Sequence, residues 1–150
     1  MAIRELRIDD DPILRKKCRE ITEVTDRIKV LAEDLIDTMY ENNGVGLAAP
    51  QVGVLRRIFV VDVGDGPVVM INPEISNEEG TQCGEEGCLS LPNQSGVVER
   101  PYKLVAKFRN LDWELCEMEC EELMARATCH ELDHLNGILF TDRAIDEEEA

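Results

Sequence analysis

Residues 129–137 read Cys-His-Glu-Leu-Asp-His-Leu-Asn-Gly and contain both histidines of the chain, His130 and His134. The two are four positions apart, so on a helix their imidazoles lie on one face about one turn apart, within reach of a single metal ion. Glu131 is rotated by roughly 100° around such a helix and can lean over a water held by that metal. This H-E-x-x-H pattern is typical of a site with two imidazole ligands and a carboxylate that moves protons. The alternative is a solvated helix that carries two histidines by accident.

The composition is that of a globular protein with a strongly acidic surface. Of 150 residues, 43% are hydrophobic and 32% are charged, and 32 acids against 16 bases give a formal net charge of −16. This length predicts one domain over residues 1–150. The charge argues against non-specific binding to nucleic acid or to an anionic membrane, since both repel it. Part of the acidic excess lies in residues 146–149, which we expect to be a frayed tail.

The sequence contains no evident export or membrane signal. No apolar run approaches the length of a bilayer span, and the charged residues 1–11 lack the apolar core of a signal peptide. We therefore expect a cytosolic protein, with a transit segment removed from a longer precursor as the alternative. In that compartment the six cysteines are expected to be reduced thiols rather than a disulfide framework.

Helix signals flank a central region of strands. Apolar residues at i, i+3 and i+4 spacing between Ile28 and Met39 predict a long amphipathic helix, with Thr25 as its N-cap and Asn43-Gly44 as its stop. A second helix is predicted to begin near Cys120 and to carry the H-E-x-x-H pattern. Pro12 suits the first turn of a short additional helix near the N-terminus.

Apolar runs and turn residues predict several short strands. They are an edge strand at 3–8, a hairpin of 57–63 and 68–71 around Asp65-Gly66, and strands near 97–98, 104–108 and 115–118. Asn72-Pro73 is predicted to break the second strand of the hairpin. Because strands and helices do not alternate, we predict an α+β fold in which antiparallel sheets pack around the H-E-x-x-H helix.

A catalytic metal normally takes a third protein ligand, and the position of that ligand separates the candidate classes of hydrolase. In the extended H-E-x-x-H-x-x-G-x-x-H pattern it would fall on Phe140, which cannot bind a metal. Cys88 is the better candidate, because Gly87 permits a tight backbone beside it and Ser90 could support the loop. A thiolate with two imidazoles suits Zn²⁺, Fe²⁺, Co²⁺ or Ni²⁺. A reduced cysteine is more often a small buried apolar residue, and we assign that role to the other five: Cys18, Cys83, Cys116, Cys120 and Cys129.

Three segments, taken in order, resemble the signature motifs of the peptide deformylase family. They are GVGLAAPQ at 44–51, EGCLS at 86–90 and HELDHL at 130–135, and the likeness extends to DPILR at 11–15. The chain departs from the family pattern at Cys129, where glutamine is most often expected before the first histidine. Because the sequence ends soon after Ile145, we expect no equivalent of the longer C-terminal helix that some members have.

The resemblance implies an enzyme that removes the N-formyl group from N-formylmethionine at the start of newly made polypeptides and releases formate. It implies one divalent metal per chain, held by Cys88, His130 and His134 with water as the fourth ligand. Fe²⁺ is expected in the cell, with Zn²⁺, Ni²⁺ or Co²⁺ as substitutes. Glu131 would be the general base and acid, while the Gln51 side-chain amide and the Leu89 backbone N–H would stabilise the oxyanion.

The resemblance also implies where a substrate peptide would bind. Val45-Gly46 and Glu86-Gly87 are similar to the segments that pair with an extended peptide in the family. Leu123 and Ala127, which precede His130 on the same helix face, could form the apolar pocket for the methionine side chain or belong to the ordinary core. An ion pair between Asp133 and Arg100 is expected to support the metal helix, with a solvated Asp133 as the alternative.

Two other classes of protein remain as alternatives. A non-catalytic metal-binding or ribosome-associated module would need neither Glu131 nor Gln51, and a metallopeptidase is disfavoured by Phe140 and by a cysteine ligand upstream. The expected partners are N-formylmethionyl peptides and, transiently, the ribosome, without direct reading of nucleic acid and without membrane binding. The expected location is the bacterial cytoplasm, with an organelle as the alternative.

Overall fold

Two α-helices pack on a five-stranded antiparallel sheet in residues 2–145, the part of the chain that the computed structural model describes. The helices are α1 (Asp26–Glu41) and α2 (Leu123–Leu135). The sheet contains β1 (Gly46–Ala48), β2 (Ile58–Val61), β3 (Val68–Glu79), β6 (Lys103–Arg109) and β7 (Leu115–Glu121), in that order. A second antiparallel sheet contains β4 (Gln82–Cys88), β5 (Leu91–Arg100) and β8 (Ala144–Ile145). The predicted α+β class with antiparallel sheets is therefore confirmed, while the predicted tail at 146–149 lies outside the described residues.

Strand β2 explains how the two helices share one sheet. All four of its residues are fully buried, and they alternate between two core clusters. Phe59 and Val61 pack in the cluster that includes Ala125 and Leu135 of α2, whereas Ile58 belongs to the cluster that holds the apolar face of α1. A continuous apolar run is what a strand covered on both faces requires.

Helix α1 begins and ends at the predicted signals. The Thr25 hydroxyl accepts a hydrogen bond from the Ile28 N–H at 3.3 Å and so caps the first turn. The helix ends at Glu41, and Asn43 adopts a left-handed φ of 56°. The helix thus delivers the chain directly to the glycine-rich segment that precedes β1. A short 3₁₀ helix at Pro12–Arg15 matches the predicted helical turn.

The edge strand predicted at residues 3–8 is wrong. This segment is irregular and is held by hydrogen bonds to groups other than a neighbouring strand. The Arg4 N–H donates to the Thr38 hydroxyl of α1 at 2.9 Å, and the Arg7 N–H donates to the Gln51 carbonyl at 2.7 Å. Alternating apolar and charged residues indicate a strand, but the Thr38 side chain and the Gln51 carbonyl satisfy these backbone groups instead.

The break predicted at Asn72-Pro73 is also wrong, because β3 continues through it to Glu79. The register shifts between Ile71 and Glu74, and Asn72 has a φ of 51°, so a bulge accommodates the proline. The Asn72 side chain exchanges two hydrogen bonds with the backbone of Ile21, at 2.7 and 2.9 Å. These bonds stabilise the bulge.

Two further expectations need correction. Helix α2 begins at Leu123 rather than near Cys120, because β7 runs to Glu121 and Glu122 turns the chain with a φ of 56°.

All six cysteines are free thiols. Four of the five that were expected to be buried are buried or half-buried, but Cys83 on β4 is exposed. Within residues 2–145, neither helix combines the length and apolar character needed to cross a membrane.

Candidate active site

The two histidines of α2 and Cys88 at the end of β4 bring together three atoms of the types that bind metals. One ligand atom from each of Cys88, His130 and His134 lies within 4.8 Å of the others. The Cys88 Sγ is 3.3 Å from the His134 Nε2, and the two imidazole rings are 5.1 Å apart in an edge-on arrangement. Their i, i+4 spacing on a helix produces this proximity, as the sequence predicted.

A buried carboxylate orients one of these histidines. The Nδ1 of His130 lies 2.8 Å from a carboxylate oxygen of Glu86, which leaves Nε2 as the ring nitrogen available to a metal. Burial raises the pKa of Glu86, but hydrogen bonds from Arg100 and His130 outweigh it and lower that pKa to about 2. Glu86 is therefore a carboxylate at neutral pH.

Glu86 belongs to a buried network of ion pairs, and Arg100 is at its centre. The Arg100 guanidinium, only 4% exposed, donates twice to Glu86 at 2.9 Å and once to Asp133 at 2.8 Å. The ion pair expected between Asp133 and Arg100 is thus present. Two arginines that the sequence analysis missed complete the network, since Arg126 donates to Glu86 at 2.6 Å and Arg143 donates twice to Asp133.

Arg126 could have been found from its spacing. It lies four residues before His130 on α2, so both side chains face Glu86 from the same side of the helix. Arg143 gave no comparable signal, because it follows α2 in an irregular segment and reaches Asp133 only through the tertiary fold.

Glu131 is buried beside the three donor atoms. Burial is the main cause that raises its pKa from 4.5 to about 7, and His130 opposes that rise. Its Oε1 has no hydrogen-bond partner among the described residues. On the other side its carboxylate faces Gly46, where a methyl group would lie 2.6 Å from Oε2. A carboxyl group with a pKa near neutrality and an unused oxygen is suited to exchange protons with a small molecule in the site.

The Gln51 amide lies beside Cys88 in a fixed orientation. Its Oε1 accepts a hydrogen bond from the Ala48 N–H at 2.9 Å, which fixes the assignment of the amide nitrogen. That nitrogen donates to the Ser90 hydroxyl at 3.1 Å and lies 3.6 Å from the Cys88 Sγ. The side chain is 1% exposed. The rigid Ala49–Val52 3₁₀ helix after the glycine-rich segment holds it there.

A cleft of about 650 Å³ opens onto these groups. Two edge strands border it, since β1 ends the five-stranded sheet and β4 ends the smaller one. Ala127 is buried in its wall and Leu123 is half exposed at 48%. Of the site residues predicted from the sequence, only His134 does not line the cleft, because it is fully enclosed. The others all line it: Val45, Gly46, Gln51, Glu86, Gly87, Cys88, Leu89, Leu123, Ala127, His130 and Glu131.

The donor atoms fit a divalent metal. Burial and the nearby charges of His130 and Arg100 lower the pKa of His134 well below 6.5, so its ring is neutral and can act as a ligand. Burial lowers the pKa of His130, but Glu131, Cys88 and Glu86 outweigh it and raise that pKa to about 10. A metal would therefore compete with a proton for His130. One sulfur and two imidazole nitrogens are a donor set for Zn²⁺, Fe²⁺, Co²⁺ or Ni²⁺.

An α+β fold with an H-E-x-x-H helix, a third donor and a peptide-sized cleft between two sheet edges defines a metallohydrolase that acts on peptides. Residues 3–150 match the model of the polypeptide deformylase family. The chain belongs to this family, whose members are metal-dependent hydrolases that remove the N-formyl group from the N-formylmethionine of nascent peptides.

Individual relatives agree with this assignment. A peptide deformylase of Agathobacter rectalis is 57% identical over 95% of this chain and 90% of its own length. One from Alkaliphilus metalliredigens is 56% identical over 98% of this chain and its entire length. The crystal structure of the Thermotoga maritima peptide deformylase superposes with a TM-score of 0.94 at 44% identity, over 97% of this chain and 100% of that one. An actinonin-bound deformylase from Acinetobacter baumannii gives a TM-score of 0.91 at 36% identity, over 97% and 100% of the two chains.

Proposed function

We propose that this chain, as one catalytic domain, deformylates N-formylmethionyl peptides with a metal held by Cys88, His130 and His134. The convergence of their three ligand atoms within 4.8 Å carries the proposal. When bound, the metal would supply Lewis acidity, which lowers the pKa of water and polarises the formyl carbonyl. Fe²⁺ is the proposed ion in the cell, and Zn²⁺, Ni²⁺ and Co²⁺ are the substitutes that this donor set accepts.

Glu131 is the proposed general base and acid. Its carboxylate can take a proton from the attacking water and later return it to the amine nitrogen, and its burial, which raises the pKa to about 7 in the metal-free protein, favours the protonated form that makes the second transfer. The water oxygen forms a bond to the formyl carbon, the carbon–nitrogen bond then breaks, and the products are formate and a free methionine N-terminus. The second proton transfer matters because without it the nitrogen would have to leave as a strongly basic amide anion rather than as a neutral amine.

The Gln51 amide and the Leu89 backbone N–H are the proposed donors to the oxyanion that forms on the formyl oxygen. Gln51 supports this role because its amide nitrogen already lies beside Cys88, and Leu89 immediately follows that ligand in the chain. Donors fixed before the reaction stabilise developing charge without reorganisation.

The substrate backbone would bind as an additional strand between the two sheet edges. Val45-Gly46 on the β1 side and Glu86-Gly87 on β4 would pair with the first residues of the peptide. Ala127 and Leu123 would contact the methionine side chain, with Ala127 deeper in the wall and Leu123 at the rim. Backbone pairing explains how one site accepts many N-terminal sequences. Transient docking at the ribosome in the bacterial cytoplasm completes the proposal.

Formate release from a short formyl-Met peptide, compared with cleavage of the same peptide without the formyl group, tests this function. Anaerobically prepared, Ni²⁺-loaded protein should release formate from the first peptide and leave every peptide bond of both intact. Cleavage of internal bonds would favour the metallopeptidase alternative. A loaded, folded protein that releases no formate would favour the binding-module alternative.

A further inference from the structure

A second cleft, of about 700 Å³, is lined by none of the candidate catalytic residues. It lies between the N-terminal turns of α1 and the loop that joins the Ala49–Val52 3₁₀ helix to β2. We propose that this arginine cleft, defined by Arg4, Arg19, Arg27 and Arg56, binds a phosphate monoester that carries an apolar group.

The distribution of unpaired arginines singles out this cleft. The chain has eleven arginines among 32 acidic residues, so an acidic partner is abundant. Among residues 2–145, three arginine side chains form no ion pair and no hydrogen bond, and all three line the arginine cleft: Arg19, Arg27 and Arg56. Each of the other eight bonds to a carboxylate or to a backbone carbonyl: Arg4, Arg7, Arg15, Arg57, Arg100, Arg109, Arg126 and Arg143.

The backbone holds two of these arginines side by side. Arg19 and Arg56 form an isolated parallel bridge, in which the Arg19 N–H donates to Leu55 at 3.1 Å and the Arg57 N–H donates to Arg19 at 2.9 Å. The Nε of Arg56 is buried and has no hydrogen-bond partner among the described residues. A buried guanidinium N–H without an acceptor is costly, and an anion bound at the accessible end of the same guanidinium would offset part of that cost through its charge. The bridge fixes the spacing of the two arginine backbones before any ligand binds.

The net charge of the cleft matches a phosphate monoester better than a carboxylate. Its four arginines are offset by Asp26 in the lining and by Asp34, which pairs with Arg4 at 2.8 Å, so a charge of +2 remains. A phosphate monoester carries about −1.5 to −2 at neutral pH and accepts the bidentate hydrogen bonds that guanidinium groups donate. A monocarboxylate would leave one positive charge uncompensated.

The rest of the lining explains the apolar group and the small size of the ligand. Ile28, Leu31, Val54 and Leu55 line the cleft beside the arginines. The volume is in the range of small-molecule sites. A nucleic acid would bring many phosphates against a chain of net charge −16, so a single phosphate group is favoured over a polyanion.

Calorimetric titration of the metal-loaded protein with phenyl phosphate tests the inference. We expect saturable 1:1 binding, at least tenfold tighter than that of inorganic phosphate or benzoate. The double variant Arg19→Gln/Arg56→Gln should weaken it at least tenfold. Lys29→Gln, which removes an exposed charge from α1 outside the cleft, should change it less than twofold.

Three results would overturn the inference. They are the absence of saturable binding, equal weakening by the double variant and by Lys29→Gln, and equal affinity for phenyl phosphate and inorganic phosphate. Circular dichroism and the formate-release rate of the double variant, both expected to match the parent, show that a loss of binding is not a loss of fold. A fourth result, displacement of phenyl phosphate by a single-stranded oligonucleotide, would contradict the choice of a small ligand.

Discussion

Replacement of Glu86 by glutamine is expected to lower both the unfolding free energy of the protein and its affinity for the metal. The substitution keeps the shape of the side chain but removes the negative charge that Arg100, Arg126 and His130 share. Arg100 is almost completely buried and would keep only Asp133 as a carboxylate partner. His130 would lose the acceptor that fixes its ring orientation.

Two separate estimates of the unfolding free energy that Glu86→Gln removes give similar values. The lowering of the Glu86 pKa from 4.5 to about 2 corresponds to about 3 kcal/mol of stabilisation at neutral pH. Removal of one partner from a buried ion pair typically costs about 3–5 kcal/mol, and the remaining Asp133 places this case at the lower end. We therefore expect the unfolding free energy to fall by about 3 kcal/mol and the metal affinity to fall by about 10–100-fold.

Urea denaturation of the metal-free parent and Glu86→Gln variant at several pH values measures the first effect. A lowered carboxyl pKa stabilises the fold above pH 4.5, and that contribution disappears as the pH falls from 4.5 toward 2. The difference between parent and variant should thus shrink from about 3 kcal/mol at pH 7 to about 1 kcal/mol at pH 3. Glu99→Gln, an exposed position on β5, is the matched control and should have little effect. A Glu86→Gln protein within about 1 kcal/mol of the parent at pH 7, or a difference that persists at pH 3, would refute the reasoning.

Four further outcomes are expected. Glu131→Gln should bind one metal per chain by elemental analysis yet lose at least about 10²-fold in kcat, and an active variant would remove Glu131 from the mechanism. Gly46→Ala, which would place a methyl group 2.6 Å from Glu131 Oε2, should lower kcat with the metal content unchanged, and a parental kcat would contradict this contact. Gln51→Leu should lower kcat by about 10²–10³-fold if its amide stabilises the oxyanion, whereas a change confined to KM would assign it to binding. Because the His130 pKa is raised to about 10 in the metal-free protein, metal binding at pH 7 should release at least one proton; calorimetry in buffers of different ionisation enthalpy measures the number, and zero would be the contrary result.

Elements with a strong local signal could be predicted from the sequence. The apolar spacing and N-cap of α1 and the continuous apolar run of β2 agree with the structure, because their causes lie within a few neighbouring residues. The predictions for residues 3–8 and for Asn72-Pro73 are wrong because distant groups decide the conformation there. The Thr38 side chain of α1 and the Gln51 carbonyl hold the first segment, and the Ile21 backbone holds the second.

The candidate site also contains residues that local spacing places and residues that only contacts across the fold place. Helical spacing places His130 and His134 together, but their distance from Cys88 depends on the pairing of β4 with β5, which no local pattern reveals. The sequence around Cys88 already favours it as the third ligand, whereas Gln51 becomes a predicted site residue only through the family motif. The roles of Arg126 and Arg143 depend on side-chain contacts across the fold, and composition indicated only an acidic chain in which arginine partners are plentiful.

The most direct test is formate release during titration of the metal-free protein with Ni²⁺ under anaerobic conditions. The rate of formate release from a formyl-Met peptide should rise linearly and stop rising at one metal per chain. Cys88→Ser should require a large excess of metal, because the thiolate contributes to affinity. Full activity in the presence of a strong chelator, or no formate release at one bound metal per chain, would contradict a catalytic metal held by Cys88, His130 and His134.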